Sequence, residues 1–447
     1  MTLLRTVVTT FAAAALFGSA SAQDLGVPAP AQTKPILIRN ATIHPVSGPV
    51  VNNGFVLLVD GKIGQIGAAG DAVFSTNMPP EVVDASGKHV YPGLINATTL
   101  IGLLEVGAVR STLDYAEVGA VTPEVRAAVS VNPDSTQIPV TRSNGVLVVG
   151  VMPEGGTIPG RASVMRLDGW TWEGLTVADD AGLIINWPNV NPIRSRWMQQ
   201  SDEEQAETMR KNLRVIDDAF REAMAYFASR KADPTTPTST RWESMRPTIE
   251  AGKQIFIRAQ EAEQIRSAVS WAVENGYKPV IVGGRDAAKC ADLLKKHDVG
   301  VIITGVHRLP SRDDAPYDEP FTLPYELEAA GVRWALGASS TGYGNDRNLP
   351  YHAATAVAYG LDHDAALRSI TLSAAELLGV GETLGSLENG KSATLIITTG
   401  DPMEITTKIE RAYIDGKEID LSNKQTKLAD KYRERYRQMG VIPAKAD

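Results

Sequence analysis

The stretch Tyr91-Pro92-Gly93-Leu94-Ile95-Asn96-Ala97-Thr98-Thr99-Leu100 decides the fold. Residues 93–97 form a short, largely apolar run, the pattern of a strand buried on both faces. Seven more runs of this kind follow, at 145–151, 163–167, 182–186, 254–257, 279–282, 300–304 and 332–336. Helical patterns separate many of them. That alternation predicts parallel strand–helix units, and eight strands suit an α/β (β/α)8 TIM barrel over 92–382.

Upstream of the barrel entry the pattern changes to short β runs. Residues 35–43 and 54–60 are two of them, and Asp60-Gly61-Lys62 joins the second to 63–67. An Asp-Gly pair between apolar runs is a hairpin signal. A second such set lies near the other end, at 385–397 and 409–419, with Asp415-Gly416 in its turn. One small sheet cannot bury both faces alone. The N- and C-terminal segments, 35–91 and 383–421, are therefore expected to form one composite β-sandwich domain.

Helices are predicted at 201–230, where Ser201-Asp202-Glu203-Glu204 reads as a capping box, and at 262–275, 350–361 and 364–378. The last segment, 422–447, reads as a charged helix with Leu428, Tyr432, Tyr436 and Met439 on one stripe. Such a stripe is expected to pack on its own domain.

Composition narrows the function classes. The chain has 447 residues, 43% hydrophobic and 21% charged, an ordinary globular balance. A net charge of −8 offers nothing to nucleic acid. The single Cys290, in a helical pattern, excludes an internal disulfide framework and reads as a buried structural thiol. Residues 1–22 read as a secretory signal: Arg5, the apolar run 7–17, then Ala20-Ser21-Ala22. Cleavage there starts the mature chain at Gln23 and removes Arg5, so −8 becomes −9. A Pro/Ala-rich linker, 23–34, follows. The expected location is periplasmic or secreted, with no membrane span after cleavage.

Four runs carry a resemblance: 88–95 at the barrel entry, 348–361 after strand eight, 366–380 in the last barrel helix and 384–395 in the closing strand. Together they resemble the amidohydrolase superfamily, nearest its imidazolonepropionase-like and secreted dipeptidase-like branches. The resemblance implies a TIM barrel with a composite β-sandwich. It also implies metal ligands from strands one, five, six and eight, because bound zinc brings the pKa of water to about 7 and polarises a carbonyl.

Those ligands are missing. Strand one offers Thr98 and Leu100 where the family carries His-x-His. Arg258 and Gln260 replace the two histidines of strand five, Gly283 takes the histidine place after strand six, and Ser339 takes the aspartate place after strand eight. The chain has six histidines, none in a ligand spacing, and only His307 closely follows a strand. No metal and no cofactor are expected; zinc is the alternative if this ligand reading fails.

The candidate pocket is the ring of polar residues expected at the C-terminal ends of the strands: Thr98, Glu154, Asp168, Arg258, Gln260, Arg285, His307 and Ser339. Thr99, Asp286 and Asp346 are expected near them. Arg258 with Arg285 would clamp a carboxylate or phosphate; the plainer reading pairs Arg258 with Glu154 or Asp168 and leaves it a space-filler. The Gly-rich loop 154–160 lacks Gly-Lys-Ser/Thr and reads as loop shaping, not as a phosphate cradle. The functional expectation is an exported, non-catalytic ligand-binding or partner subunit. The alternative is a hydrolase of non-peptide or dipeptide C–N bonds that uses a rearranged barrel-mouth site. Expected partners are a small molecule or peptide, and an intact homologous subunit or a second copy.

Overall fold

The computed structural model describes residues 26–71, 78–193, 198–310, 312, 314–338 and 344–443. The signal-like stretch and Ser339 lie outside the described residues.

Five strands come first: β1 (Ile36–Ile43), β2 (Val51–Val59), β3 (Lys62–Ala68), β4 (Glu81–Asp84) and β5 (His89–Pro92). The barrel strands are β6 (Leu94–Thr99), β7 (Val146–Val151), β8 (Gly160–Arg166), β9 (Thr176–Asn186), β10 (Ile255–Ala259), β11 (Pro279–Gly283), β12 (Gly300–Ile303) and β13 (Trp334–Leu336). Then come β14 (Leu395–Thr398), β15 (Ile409–Ile414) and β16 (Lys417–Glu418).

The terminal strands form one sheet in the order β16-β15-β14-β5-β1-β2-β3, with β4 also on β1. The join between the chain's two ends is β5 against β14, with Tyr91 opposite Ile396. Asp60 (φ 49°) and Gly61 (φ 78°) make the tight turn that the Asp-Gly pair predicts. From that turn the sheet folds back: Ile63 N donates to Lys391 O at 2.8 Å and Ala393 N to Gly61 O at 2.9 Å. Ile38, Leu58, Ile63, Leu395 and Tyr413 share the core this creates.

The second sheet runs β6 to β13 in sequence order. It nearly closes, because Ala338 N, just past β13, donates to Asn96 Oδ1 of β6 at 2.8 Å. Inside it Ile95, Val148, Val164, Ile184, Phe256, Ile302 and Ala335 form an apolar plug. The helix Leu372–Leu377 seals the end where the strands start, with Gln254 Nε2 donating to Leu377 O at 2.8 Å. Burying a side chain such as Phe256 stabilises the fold by roughly 1.5–3 kcal/mol.

All eight expected barrel strands form, but β8 corrects the parallel-unit expectation. It is antiparallel to both β7 and β9. The reason is chain length: only residues 152–159 and 167–175 flank it, and a parallel crossover needs about a dozen or more. Residues that follow β8 therefore leave at the barrel's opposite end.

The helix Asp202–Ala232 starts at the predicted capping box on Ser201 and Glu204. The helix expected over 364–378 is instead two, His363–Ser369 and Leu372–Leu377, broken where Thr371 takes φ −136°, ψ −97°. The helix Lys424–Gln438 is capped by Asn423, whose Nδ2 donates to Ser143 Oγ at 2.9 Å. None of its residues is buried, and Leu428, Tyr432, Tyr436 and Met439 stay 45–59% exposed. The expected packing of this stripe on its own domain does not occur among the described residues. Two charges for every few residues hold the rest of the helix in water. No helix among the described residues is long and apolar enough to cross a membrane.

Candidate functional site at the barrel mouth

Side chains two apart on a strand share a face. Phe256 of β10 points into the apolar plug, so Arg258 also points inward, above it. Its Nη1 donates to Pro153 O at 2.8 Å and to Asn186 Oδ1 at 3.1 Å, and its Nη2 donates to Met152 O at 3.0 Å. The guanidinium is deeply enclosed, yet the residue keeps some contact with solvent. Burial pulls its pKa down, opposed by the charge of Glu154. An arginine still remains a cation there.

The expected pairing of Arg258 with a pocket carboxylate is corrected. Its hydrogen bonds go to backbone carbonyls and an amide, and Glu154 acts on it only through space. Asp168 is elsewhere. Because β8 runs backwards, Asp168 lies at the far end of the barrel, buried with Arg142 at 2.9 Å and accepting from Ala29 N at 3.1 Å. The expected Arg258–Arg285 clamp is not formed either: Arg285 turns to Glu261 at 3.2 Å.

Asn186, at the end of β9, ties Arg258 to the Gly-rich loop. Its Nδ2 donates to the carbonyls of Gly155 and Gly156, each at 2.8 Å. Gly156 (φ 49°) could not carry a side chain, since a Cβ would lie 2.6 Å from Gly119 O. A cavity of about 330 Å³ opens beside it, lined by Thr157, Asn186, Trp187, Asn189 and Met209 among others.

Two of the positions where the resemblance places metal ligands, Gln260 and Gly283, lie against each other. The Gln260 amide lies over Gly283, so close that a Cβ on Gly283 would be 2.2 Å from Nε2. Any side chain at the strand-six position thus competes with Gln260. Thr98 is buried, with its methyl against Gly337. Among the described residues no three His, Cys, Asp or Glu side chains converge as a cation site. A guanidinium, a threonine and a glycine do not fit a divalent metal.

A carboxylate does meet strand one, but it is Asp346. Asn96 Nδ2 donates to Asp346 Oδ1 at 2.7 Å, and Thr99 Oγ1 donates to the same oxygen. Burial pushes Asp346 up to about 6, although the Thr99 and Asn96 hydrogen bonds pull the other way. Asp346, seven residues after Ser339, sits between strand eight and the next helix. His307 is exposed, with Nε2 2.7 Å from Thr355 Oγ1 and its ring 4.1 Å from that of His352. His352 is held neutral by burial, at about 3, and its Nδ1 accepts from Val306 N at 3.2 Å. The structure thus places Arg258 on β10 and Gln260 just past its end, with Glu154 acting on Arg258 from the loop after β7. Asp168 is removed to the far end, and Arg285 and His307 are turned to other partners.

The model of the Amidohydrolase family matches residues 249–419. Amidohydrolase tasK of Hapsidospora irregularis is 22% identical over 446 residues, covering 86% of this chain and 43% of that protein. A 5-methylthioadenosine/S-adenosylhomocysteine deaminase of Moorella thermoacetica is 38% identical over 64 residues, 14% of this chain and 15% of that one. The chain spans less than half the length of these curated relatives. The crystal structure of an amidohydrolase from Thermotoga maritima MSB8 superposes with a TM-score of 0.75 at 26% identity, over 86% of this chain and 99% of that one. A prolidase complexed with N-methylphosphonate-L-proline shares the fold, at a TM-score of 0.52 and 16% identity, over 86% of this chain and 99% of that one. With its barrel, its composite sheet and these matches, the chain belongs to the amidohydrolase superfamily.

Proposed function

We propose that this is an exported, metal-free member of the superfamily whose barrel mouth binds a ligand without metal-dependent hydrolysis, as a binding or partner subunit. One observation carries the reading: Arg258 occupies a family ligand position and is anchored there by the carbonyls of Met152 and Pro153 and by Asn186. A fixed guanidinium repels a dication and supplies positive charge in its place. The partner is an intact homologous subunit or a second copy, a reading supported by the exposed stripe of the C-terminal helix. Export rests on the leader-like residues 1–22. The test is plasma mass spectrometry of the mature protein after zinc incubation and desalting, with a screen of dipeptides and cyclic amides. Less than about a tenth of an equivalent of metal and no turnover is the expected result. A tightly held equivalent of zinc, or zinc-dependent hydrolysis, overturns it.

A second reading has one observation in its favour. Burial raises the Asp346 carboxyl to about 6, and Asn96 and Thr99 hold it against strand one, which suits an acid–base group. On that reading the protein hydrolyses C–N bonds, such as those of dipeptides, through a rearranged site with Asp346 as proton carrier. Turnover in the same screen, abolished by Asp346→Asn, is its expected result; turnover untouched by that change removes Asp346 from the reaction.

A further inference from the structure

We propose that Arg258 and Gln260 form an oxyanion subsite, which takes the carboxylate or phosphate group of a small ligand. The inference rests on the reading of the barrel mouth as a ligand site and names the chemistry of what enters it.

A guanidinium has five N–H donors. Arg258 spends three of them on Pro153 O, Asn186 Oδ1 and Met152 O. The Nε–H and one Nη2 hydrogen are left, and they have no partner among the described residues. Gln260 comes two residues later, just past the end of β10, about 7 Å further along. Its side-chain amide also has no hydrogen-bond partner among the described residues, and it lies over Gly283. Both residues keep contact with solvent. Two side chains with unused N–H groups, Arg258 anchored and Gln260 lying over Gly283, therefore follow one another toward the mouth.

Charge points the same way. Arg258 has no ion-pair partner within 4 Å among the described residues, and only Glu154 opposes its charge from a distance. The floor below is Phe256, Val282 and Ile302. A cation over an apolar floor gains most from an anion that accepts two hydrogen bonds at once. Carboxylate and phosphate oxygens have that geometry. The backbone carbonyls that hold Arg258 orient it without neutralising it.

The test is calorimetric titration of the mature protein with acetate and, separately, with inorganic phosphate, at ionic strength held constant with chloride. Saturable binding of one or both is expected, and the tighter arm identifies the group. Gln260→Leu, which leaves the Arg258 anchors intact, should weaken binding roughly tenfold, the loss of one hydrogen bond to a charged group. Glu154→Gln should tighten it several-fold, and Arg258→Gln should abolish it. Should the Arg258 variant fail to fold, the opposite shifts of the other two still decide. No saturable binding of either anion, or equal affinity in the native, Gln260→Leu and Glu154→Gln proteins, overturns the inference. Zinc analysis of the same sample keeps the two readings apart: a metal-free protein that binds neither anion loses the subsite alone. A zinc-bearing protein loses the metal-free reading, and the Gln260→Leu ratio then decides the subsite independently.

Discussion

Asn186 holds Arg258 with one end of its amide and the Gly-rich loop with the other: Oδ1 accepts from Nη1 at 3.1 Å while Nδ2 donates to the carbonyls of Gly155 and Gly156. The mouth of the barrel is thus one hydrogen-bonded unit spanning β9, β10 and the loop after β7. Replacing Asn186 with Leu strands all three partners. The expected cost is about 1–3 kcal/mol, measured by urea unfolding, with faster proteolysis of the 154–160 loop. A change below about 0.5 kcal/mol would mean that water replaces the amide freely.

Asp346 gives the chain a pH dependence of definite sign. Its folded pKa, about 6, lies above the ordinary value of 3.8. The folded protein therefore holds the proton more tightly than the unfolded chain. This contribution is complete below about pH 4 and is lost as pH rises through 6, on the order of 3 kcal/mol in all. Asp346→Asn keeps the shape and removes the charge. It should stabilise the protein at pH 7 by about that amount and flatten the stability curve between pH 4 and 6. A variant less stable than the native protein at pH 7 would show that the ionised carboxylate is the one the fold wants.

The buried pair Arg142–Asp168 belongs to the opposite end of the barrel, with side chains only 6% and 1% exposed. Asp168→Ala leaves a buried cation alone and should cost about 3–5 kcal/mol. The exposed pair Arg333–Asp298, broken by Asp298→Ala, should cost under about 1 kcal/mol. Thermal unfolding of the two variants side by side reads the contrast. Similar losses would mean that Arg142 finds water or another acceptor.

Gly283 and Gln260 should be coupled. Gly283→Ala brings a Cβ to 2.2 Å from the Gln260 amide, at a φ of 107° that already disfavours alanine. The single change should destabilise by about 1–3 kcal/mol. In a Gln260→Ala background the clash disappears and only the backbone strain remains, so the cost should fall. A double-mutant cycle with no coupling energy would show that Gln260 simply swings aside.

Much of the architecture was legible because it depends on local pattern. The apolar runs gave the eight barrel strands, the two Asp-Gly pairs gave their hairpin turns, and Ser201 with Glu204 gave the start of the long helix. Strand direction was not legible in the same way. An apolar run reads alike forwards and backwards, and only the short segments around β8 hinted that it reverses. That reversal is why Asp168 was expected at the mouth and lies at the other end. At the site, strand-five residues were found because strand position fixes where they point. Asp346 was expected near the mouth, but its meeting with Asn96 was not legible, because loops do not keep a register: it comes seven residues after Ser339, the position that the resemblance marks. The last helix forms as its pattern predicts, but its stripe stays exposed. Periodicity says which face is apolar and nothing about what will cover it.

The β5–β14 ladder has a consequence for how the chain comes to be folded. Its two strands, ending at Pro92 and starting at Leu395, are separated in sequence by the whole barrel. Until β14 arrives, β5 has a bare edge and the apolar face around Ile38, Leu58 and Ile63 lacks its cover. Contacts this distant in sequence form late and slowly. A chain that has made the barrel but not yet β14 is therefore an open, sticky intermediate, and closure of that one seam buries its exposed face.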